Sequence, residues 1–385
     1  MRRFQQGALI VGLVASGLCT VGAFFSAAQF FRSYLLAYVF WLGIALGCLA
    51  IVMVYHLTGG AWGVVTRRFL ESATRTLPLM ILLFVPLIFG LPDLYVWARP
   101  DAAVRDELLQ HKMAYLNVPF FLLRAALYFL AWCSIAYFLN KWSVEQDQRA
   151  ADPQPTRRLQ LLSGPGLVVY VLAVSFAAID WLMSLEPHWY STIFGATLMV
   201  GQGLNGFAFV IIAAALLADR HPLAEVLAPA HFQALGGLLL AFVMLWTYMA
   251  FSQWLLIWSG NLPEENFWYV HRLSGGWKWV GLLLIIFHFA LPFLLLLSRD
   301  LKRSARALAT LAAAIMIMRL LDLFWVIVPT FHPTGFSLHW MDVMAPIGLG
   351  GIWLAVFTWQ LGERPLLPQH DPNLQEALAY GHERH

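Results

Sequence analysis

Apolar residues fill this chain in long runs, and the short segments between the runs contain most of its charged residues. A run of about 20 apolar residues is long enough to cross the hydrocarbon core of a bilayer as an α-helix. The pattern predicts ten such helices, counted in chain order, at about 8–29, 34–57, 77–97, 117–140, 164–186, 192–218, 232–258, 277–298, 304–328 and 340–361. We therefore expect an all-α integral membrane protein with ten transmembrane helices.

The composition agrees with this class, because 60% of the residues are hydrophobic and 12% are charged, against about 25% charged in soluble domains. The net charge of +3 is small and the basic residues lie in loops, so nucleic acid is not an expected partner. The apolar run from Ala8 to Phe25 superficially resembles a signal peptide. It is longer than the roughly 7–15 residues typical of one, which favours a retained membrane helix.

Basic residues are distributed unequally between the two sets of loops. Ten helices place both termini on one side, where sixteen Lys and Arg residues fall, against six on the opposite side. Cytoplasmic loops of membrane proteins carry the excess of Lys and Arg. This distribution predicts that both termini are cytoplasmic.

Two predicted helices contain the same short pattern. Residues 176–190 read FAAIDWLMSLEPHWY and residues 318–332 read MRLLDLFWVIVPTFH. In each, a proline follows an aspartate by seven residues and a histidine comes soon after: Asp180, Pro187 and His188, then Asp322, Pro329 and His332. Seven residues are two helical turns, which would put each aspartate about 10 Å deeper than its proline. A carboxylate at that depth is costly unless it is paired, protonated or hydrated, so such residues are usually functional.

The two patterns lie four helices apart, which predicts two parallel four-helix bundles at 34–186 and 187–328. The first helix, within 1–33, and the tenth, within 329–361, would flank them, and 362–385 would form a cytoplasmic tail. Residues 59–76, GGAWGVVTRRFLESATRT, are too polar to span. They fit a short interfacial helix and an ordinary cytoplasmic loop equally well.

Buried charges in the helices predict two ion pairs. Arg124 and Asp180 fall at similar depths on neighbouring antiparallel helices and could pair. Arg319 and Asp322 are three residues apart on one helix, a spacing at which side chains meet. Each pair is either inert and fixes helix register, or belongs to a proton relay or a site for a ligand headgroup.

Few other residues suggest chemistry. His288 is the only histidine well inside an apolar span, which fits a hydrogen-bonded core residue better than a haem ligand, because a bundle haem commonly needs a second histidine. The three cysteines are scattered, so we expect no metal site and assign no catalytic residue. Glu264, beside Glu265 in a predicted external loop, indicates a proton exit, a docking patch or a solvated loop. Polar residues of helices six and seven could line a cavity: Gln202, Asn205, Tyr248 and Gln253.

Four segments together resemble a known family. They are HLTGGAWG after helix two, SLEPHWYSTIFG after helix five, QWLLIWSGNLPEE at the end of helix seven and LPQHDPNLQEALA in the tail. These segments look like the NrfD-like (polysulfide-reductase-like) membrane subunits of bacterial alternative complex III, a quinol:cytochrome c oxidoreductase. That complex has two such subunits, and the length of this chain is most similar to that of the smaller one.

The resemblance implies a multi-pass subunit of the bacterial inner membrane in respiratory or photosynthetic electron transfer. It implies as partners an iron–sulfur subunit, a multihaem cytochrome and a second NrfD-like subunit, with quinone or quinol as a possible ligand and no cofactor bound by this chain. The family's buried polar positions correspond to Asp180, His188, Arg319 and Asp322, with Glu186 and Glu264 at the rim. The other functions that fit the pattern are a secondary transporter and a structural scaffold of the complex.

Overall fold

The computed structural model describes residues 1–99, 106–149 and 152–382. All regular secondary structure in these ranges is helical, and ten stretches of helix are long and apolar enough to cross a membrane, as predicted. We number the helices of these stretches α1 Arg2–Phe25, α2 Ala27–Thr58, α3 Leu77–Phe89, α4 Val118–Gln148, α5 Gln154–Trp181, α6 Phe194–Leu217, α7 Pro229–Gly260, α8 Trp277–Leu297, α9 Ala305–Ile327 and α10 Trp340–Gly362. Ten crossings return the chain to its starting side, which we call the terminal side.

Shorter helices connect the membrane helices. On the terminal side, the helix Ala61–Thr74 directly precedes α3, and the last described helix is Leu374–His382. On the opposite side, the helix Pro263–Leu273 joins α7 to α8. The others are Leu91–Leu94, Glu107–Lys112 and Arg299–Arg303, with 3-10 turns at Val96–Ala98, Met183–Leu185, Leu223–Glu225 and Val328–Thr330.

Helix α2 lies at the centre of the molecule and packs against α3, α5, α6, α9 and α10. Helices α2 to α5 pack in a closed ring, and so do α6 to α9. The two groups meet where α2 crosses α6, and a Cβ atom on Gly47 would lie 2.0 Å from the carbonyl oxygen of Gln202. Small residues of this kind let two helix backbones approach closely in a membrane. The parallel relation predicted between the two groups stays a prediction.

Helix α1 packs against α10 through glycines on both helices. A Cβ atom on Gly12 would lie 2.6 Å from the backbone nitrogen of Ile352, and one on Gly351 would lie 2.5 Å from Gly12 Cα. Helix α1 otherwise exposes its apolar side chains. It therefore packs on α10 through one face, and its predicted place as a flanking helix stays a prediction.

Several predicted boundaries are wrong. The first two helices are separated only by Ser26, and Arg32, predicted in a loop, lies in the first turns of α2 with its guanidinium 4.4 Å from the ring centre of Phe331. The interfacial segment is the helix Ala61–Thr74, but Arg67 and Arg68 are buried instead of facing water. Parts of the loop predicted at 98–116 and of the tail, residues 383–385, lie outside the described residues.

Candidate functional site

The second group of helices encloses a large apolar cavity. Its volume is about 930 Å³, within the roughly 300–1,000 Å³ of small-molecule sites. Helices α7, α8, α9 and the helix Pro263–Leu273 supply most of the wall, which is rich in aromatic side chains. Tyr248, Phe251 and Ile285 line the cavity and are also more than half exposed, so the cavity opens sideways between α7 and α8. We call it the α7–α9 cavity.

The charged pair at the wall of this cavity is Arg319 and Asp322, three residues apart on α9 as predicted. The guanidinium donates from Nη1 to Asp322 Oδ2, and both side chains are buried. Arg319 packs flat on α6, where a Cβ atom on Gly201 would lie 2.3 Å from Arg319 Cζ. Trp246 lies next to Asp322 on the wall of the same cavity. The pair is therefore held in place by helix packing and presents polar atoms to an apolar space.

Asp180 has a different environment, although the sequence pattern around it is the same. Its carboxylate accepts two hydrogen bonds from Arg124, at 2.8 and 2.9 Å, and one of 2.7 Å from the Tyr128 hydroxyl. The guanidinium of Arg124 is covered by the rings of Tyr115 and Phe120, at 3.8 and 4.4 Å. The predicted pairing of Arg124 with Asp180 is thus confirmed, and the pair is closed to any ligand. Of the two aspartates, only Asp322 lines the α7–α9 cavity.

The backbone explains part of this difference. Helix α5 ends at Trp181, one residue after Asp180, whereas α9 continues to Ile327, five residues beyond Asp322. The prediction that both aspartates lie two helical turns below their prolines is therefore wrong for Asp180. His188 also lies apart from Asp180, since its exposed imidazole contacts the Asp106 carboxylate at 2.7 Å. His188 does not belong to a site with Asp180.

Glu186 joins the two groups of helices on the side opposite the termini. Its Oε1 accepts hydrogen bonds from Arg272 at 3.0 Å and from the Thr330 hydroxyl at 2.6 Å. Arg272 is fully buried and its guanidinium lies 3.6 Å from the ring centre of Trp268. Burial lowers the pKa of Arg272 to about 10 despite the neighbouring Glu186, which leaves the side chain charged at neutral pH. Glu186 acts here as an interhelical connection.

Glu264 does not join the site. It is exposed in the first turn of the helix Pro263–Leu273 and does not line the α7–α9 cavity. A carboxylate in the first turn of a helix is stabilised by the positive end of the helix dipole and by water, which favours the solvated alternative over a buried path.

His288 is buried, as its position in an apolar span predicts, but neither ring nitrogen has a hydrogen-bond partner within the described residues. The imidazole lies edge-on to Trp246, with ring centres 4.2 Å apart. Residues Leu284–Ala290 form a π-helical turn, a rare feature that is frequent at functional sites. His288 therefore packs behind one wall of the cavity and does not touch the space itself.

A second pair of polar side chains faces the same cavity, and sequence reasoning missed one of them. Gln253 donates from Nε2 to the Tyr269 hydroxyl at 3.3 Å, and its Oε1 accepts from Ser191 at 3.4 Å. Burial raises the pKa of Tyr269 to about 12, so the phenol keeps its proton at neutral pH. Tyr269 lies in the amphipathic helix Pro263–Leu273, which joins α7 to α8. No local sequence pattern indicates that a residue of this helix lines a cavity. Of the other polar residues considered, Tyr248 lines the cavity, and Gln202 instead accepts a hydrogen bond from Tyr170.

The second charged cluster, on the terminal side, was not predicted. Arg67 and Arg68 both donate to Glu71, and Arg67 also donates to Asp371 of the tail at 2.6 Å. Burial raises the pKa of Asp371, but Arg67 and the bond from Tyr55 outweigh it, and the net pKa lies below the ordinary value of 3.8. The tail is thus bound to the bundle and is not a free extension, because it supplies a countercharge to a buried arginine.

No group of three or more His, Cys, Asp and Glu side chains in the described ranges is placed to hold a metal ion. The comparison of this chain with protein-family models gave no match, and the comparison with curated proteins gave none. The assignment of a function therefore depends on the polar residues that line the α7–α9 cavity.

Proposed function

We propose that this protein is the membrane subunit of a quinol:acceptor oxidoreductase and that the α7–α9 cavity is its quinone pocket. The observation that carries the proposal is a cavity of about 930 Å³ whose aromatic wall contains one buried Arg319–Asp322 pair. A quinone has a flat apolar ring, oxygen atoms on that ring and a long apolar tail. The aromatic wall suits the ring, and the sideways opening at Tyr248 and Phe251 suits a tail that extends into lipid.

The residues at the charged end of the cavity suit a ring oxygen. Arg319 is a hydrogen-bond donor that stays charged, and Asp322 accepts hydrogen bonds and can take up a proton. Oxidation of a quinol releases electrons and protons in equal number, so a pocket that performs it needs a proton acceptor. Asp322 fits this role better than Asp180, because the Asp180 carboxylate is already occupied by Arg124 and Tyr128.

In this proposal the side chains of this protein bind the quinol. The electrons released from the quinol then need acceptors in other subunits. The resemblance of the chain to NrfD-like subunits supports an iron–sulfur subunit, a multihaem cytochrome and a second NrfD-like subunit as partners in a bacterial inner membrane. In such a complex this chain would hold the quinol in the bilayer, while iron–sulfur or haem groups of the partners take the electrons.

Photolabelling with an azido-quinone tests the proposal. The complex purified from native membranes through a tag on this chain should contain iron–sulfur and haem subunits, identified by mass spectrometry and by the visible spectrum. Label on this chain should map to α7, α8 and α9, and an excess of unlabelled quinone should suppress it. The Asp322→Asn variant should assemble and lose label and quinol oxidation. Label confined to other subunits, or unchanged turnover in Asp322→Asn, would refute the assignment of the pocket.

A further inference from the structure

The α7–α9 cavity has a second polar position, separated from the Arg319–Asp322 pair along α7. Trp246, beside Asp322, and Gln253 both line the cavity and are seven residues apart on α7. Seven residues are two helical turns, which places them on one face and about 10 Å apart along the helix axis. The lining between and around them is largely apolar. A ligand in this space therefore meets hydrogen-bonding groups at both ends.

The hydrogen bonds at the second position leave a donor available. Gln253 is almost fully buried, and its amide makes hydrogen bonds with the Ser191 and Tyr269 hydroxyls. The Tyr269 hydroxyl accepts the bond from Gln253, and it makes no hydrogen bond as a donor within the described residues. Tyr269 is half-buried and lines the cavity, so its hydroxyl proton is available to an acceptor atom of a ligand there.

Simple packing would also use these residues, since polar side chains often join helices in membranes. Packing accounts for the bond between Gln253 and Tyr269 but leaves the Tyr269 proton unused. The remaining polar groups of the wall differ from this pair. Tyr248 is 64% exposed and faces the opening, and Lys278 lies close to the exposed Trp279, at 5.4 Å from its ring centre.

We infer that Tyr269 and Gln253 bind the ring oxygen opposite to the one held by Arg319 and Asp322, and so select ligands with oxygen atoms at both ends of one ring. This inference rests on the proposed quinone pocket. It assigns ligand specificity to Tyr269, a residue outside the membrane helices, and it predicts that loss of either ring oxygen weakens binding.

Calorimetry on the purified full-length protein, kept anaerobic, tests the inference with a decyl-substituted para-hydroquinone and the matching decylphenol, which lacks one hydroxyl. The wild-type protein should bind the hydroquinone about 10-fold more tightly, as expected for one added hydrogen bond of roughly ordinary strength. Tyr269→Phe should lower the affinity for the hydroquinone to that for the phenol, and should leave the affinity for the phenol unchanged. Tyr137→Phe, which removes an exposed hydroxyl on α4 outside the cavity, should change neither.

The outcomes separate this inference from the pocket itself. Equal wild-type affinities for the two compounds, or an equal loss of both in Tyr269→Phe, would overturn the role of Tyr269, while loss of both in Asp322→Asn would still support the pocket. If the wild-type protein binds neither compound, the pocket and the inference both fail. Thermal unfolding of each variant checks that the fold is intact, and Gln253→Met gives a second variant in which the hydroquinone should lose affinity selectively.

Discussion

Replacement of Asp180 by Asn should destabilise the protein far more than the same replacement of Asp322. The Asp180 carboxylate accepts three hydrogen bonds, two from Arg124 and one from Tyr128, and Asp180 is fully buried. Asn keeps a single acceptor oxygen and no charge, so Arg124 would stay buried without a counterion. Breaking a buried ion pair in this way costs about 3–5 kcal/mol. A cost of that size lowers the ratio of folded to unfolded protein by a factor of at least about 100.

The cost at Asp322 should be smaller because its bonding is less extensive. Asp322 is paired with Arg319 through one guanidinium nitrogen, and both residues line a cavity that water or a ligand can enter. We expect a loss of about 2 kcal/mol, typical of a hydrogen bond to a charged group. The two substitutions are chemically identical, so each serves as the control for the other.

Unfolding of the purified variants in mixed micelles with a rising fraction of denaturing detergent measures both losses. The double variant Arg124→Met with Asp180→Leu removes both charges and should recover most of the stability, since apolar residues can replace a buried ion pair at little cost. Equal losses at the two aspartates, or a larger loss at Asp322, would refute the distinction between a closed ion pair and an open site.

The contact between α6 and the site gives another test: Gly201→Ala should displace the Arg319 guanidinium and abolish hydroquinone binding, whereas Gly237→Ala, which has open space around it, should bind normally. The tail should respond to acid. Because the folded pKa of Asp371 lies below its ordinary value of 3.8, its contribution is present above about pH 4 and is lost as the pH falls through the folded pKa. Limited proteolysis should find the last helix equally protected at roughly pH 5 and 8 and cleaved faster below about pH 4; unchanged protection in acid would contradict this. Reporter fusions after Glu363 should be active only when the reporter functions in the cytoplasm, and activity restricted to periplasmic reporters would reverse the predicted orientation.

The buried charged cluster on the terminal side could not be predicted from the sequence. From the sequence, the polar segment 59–76 fits an interfacial helix and a loop equally well, but residues 61–74 form a helix in which Arg67 and Arg68 are buried. Besides Glu71 on the same helix, their partners are Ser143, Asp147 and Asp371, which come from α4 and from the tail. Partners so distant in sequence leave no local pattern, so a buried charge network resembles a solvated face until the chain is folded.

The sequence by itself determined the ten membrane helices and the Arg319–Asp322 pair. Each helix in a bilayer must satisfy its own backbone hydrogen bonds, and its length and apolarity are therefore local properties. The spacing of Arg319 and Asp322 is local in the same way. Only the tertiary structure decided that the Asp180 carboxylate is buried in an ion pair while the Asp322 carboxylate lines a cavity. That difference depends on where α5 ends and on the rings that cover Arg124. It also depends on the space left between α7, α8 and α9. Two equal sequence patterns thus acquire different environments from packing between segments that are far apart in the chain.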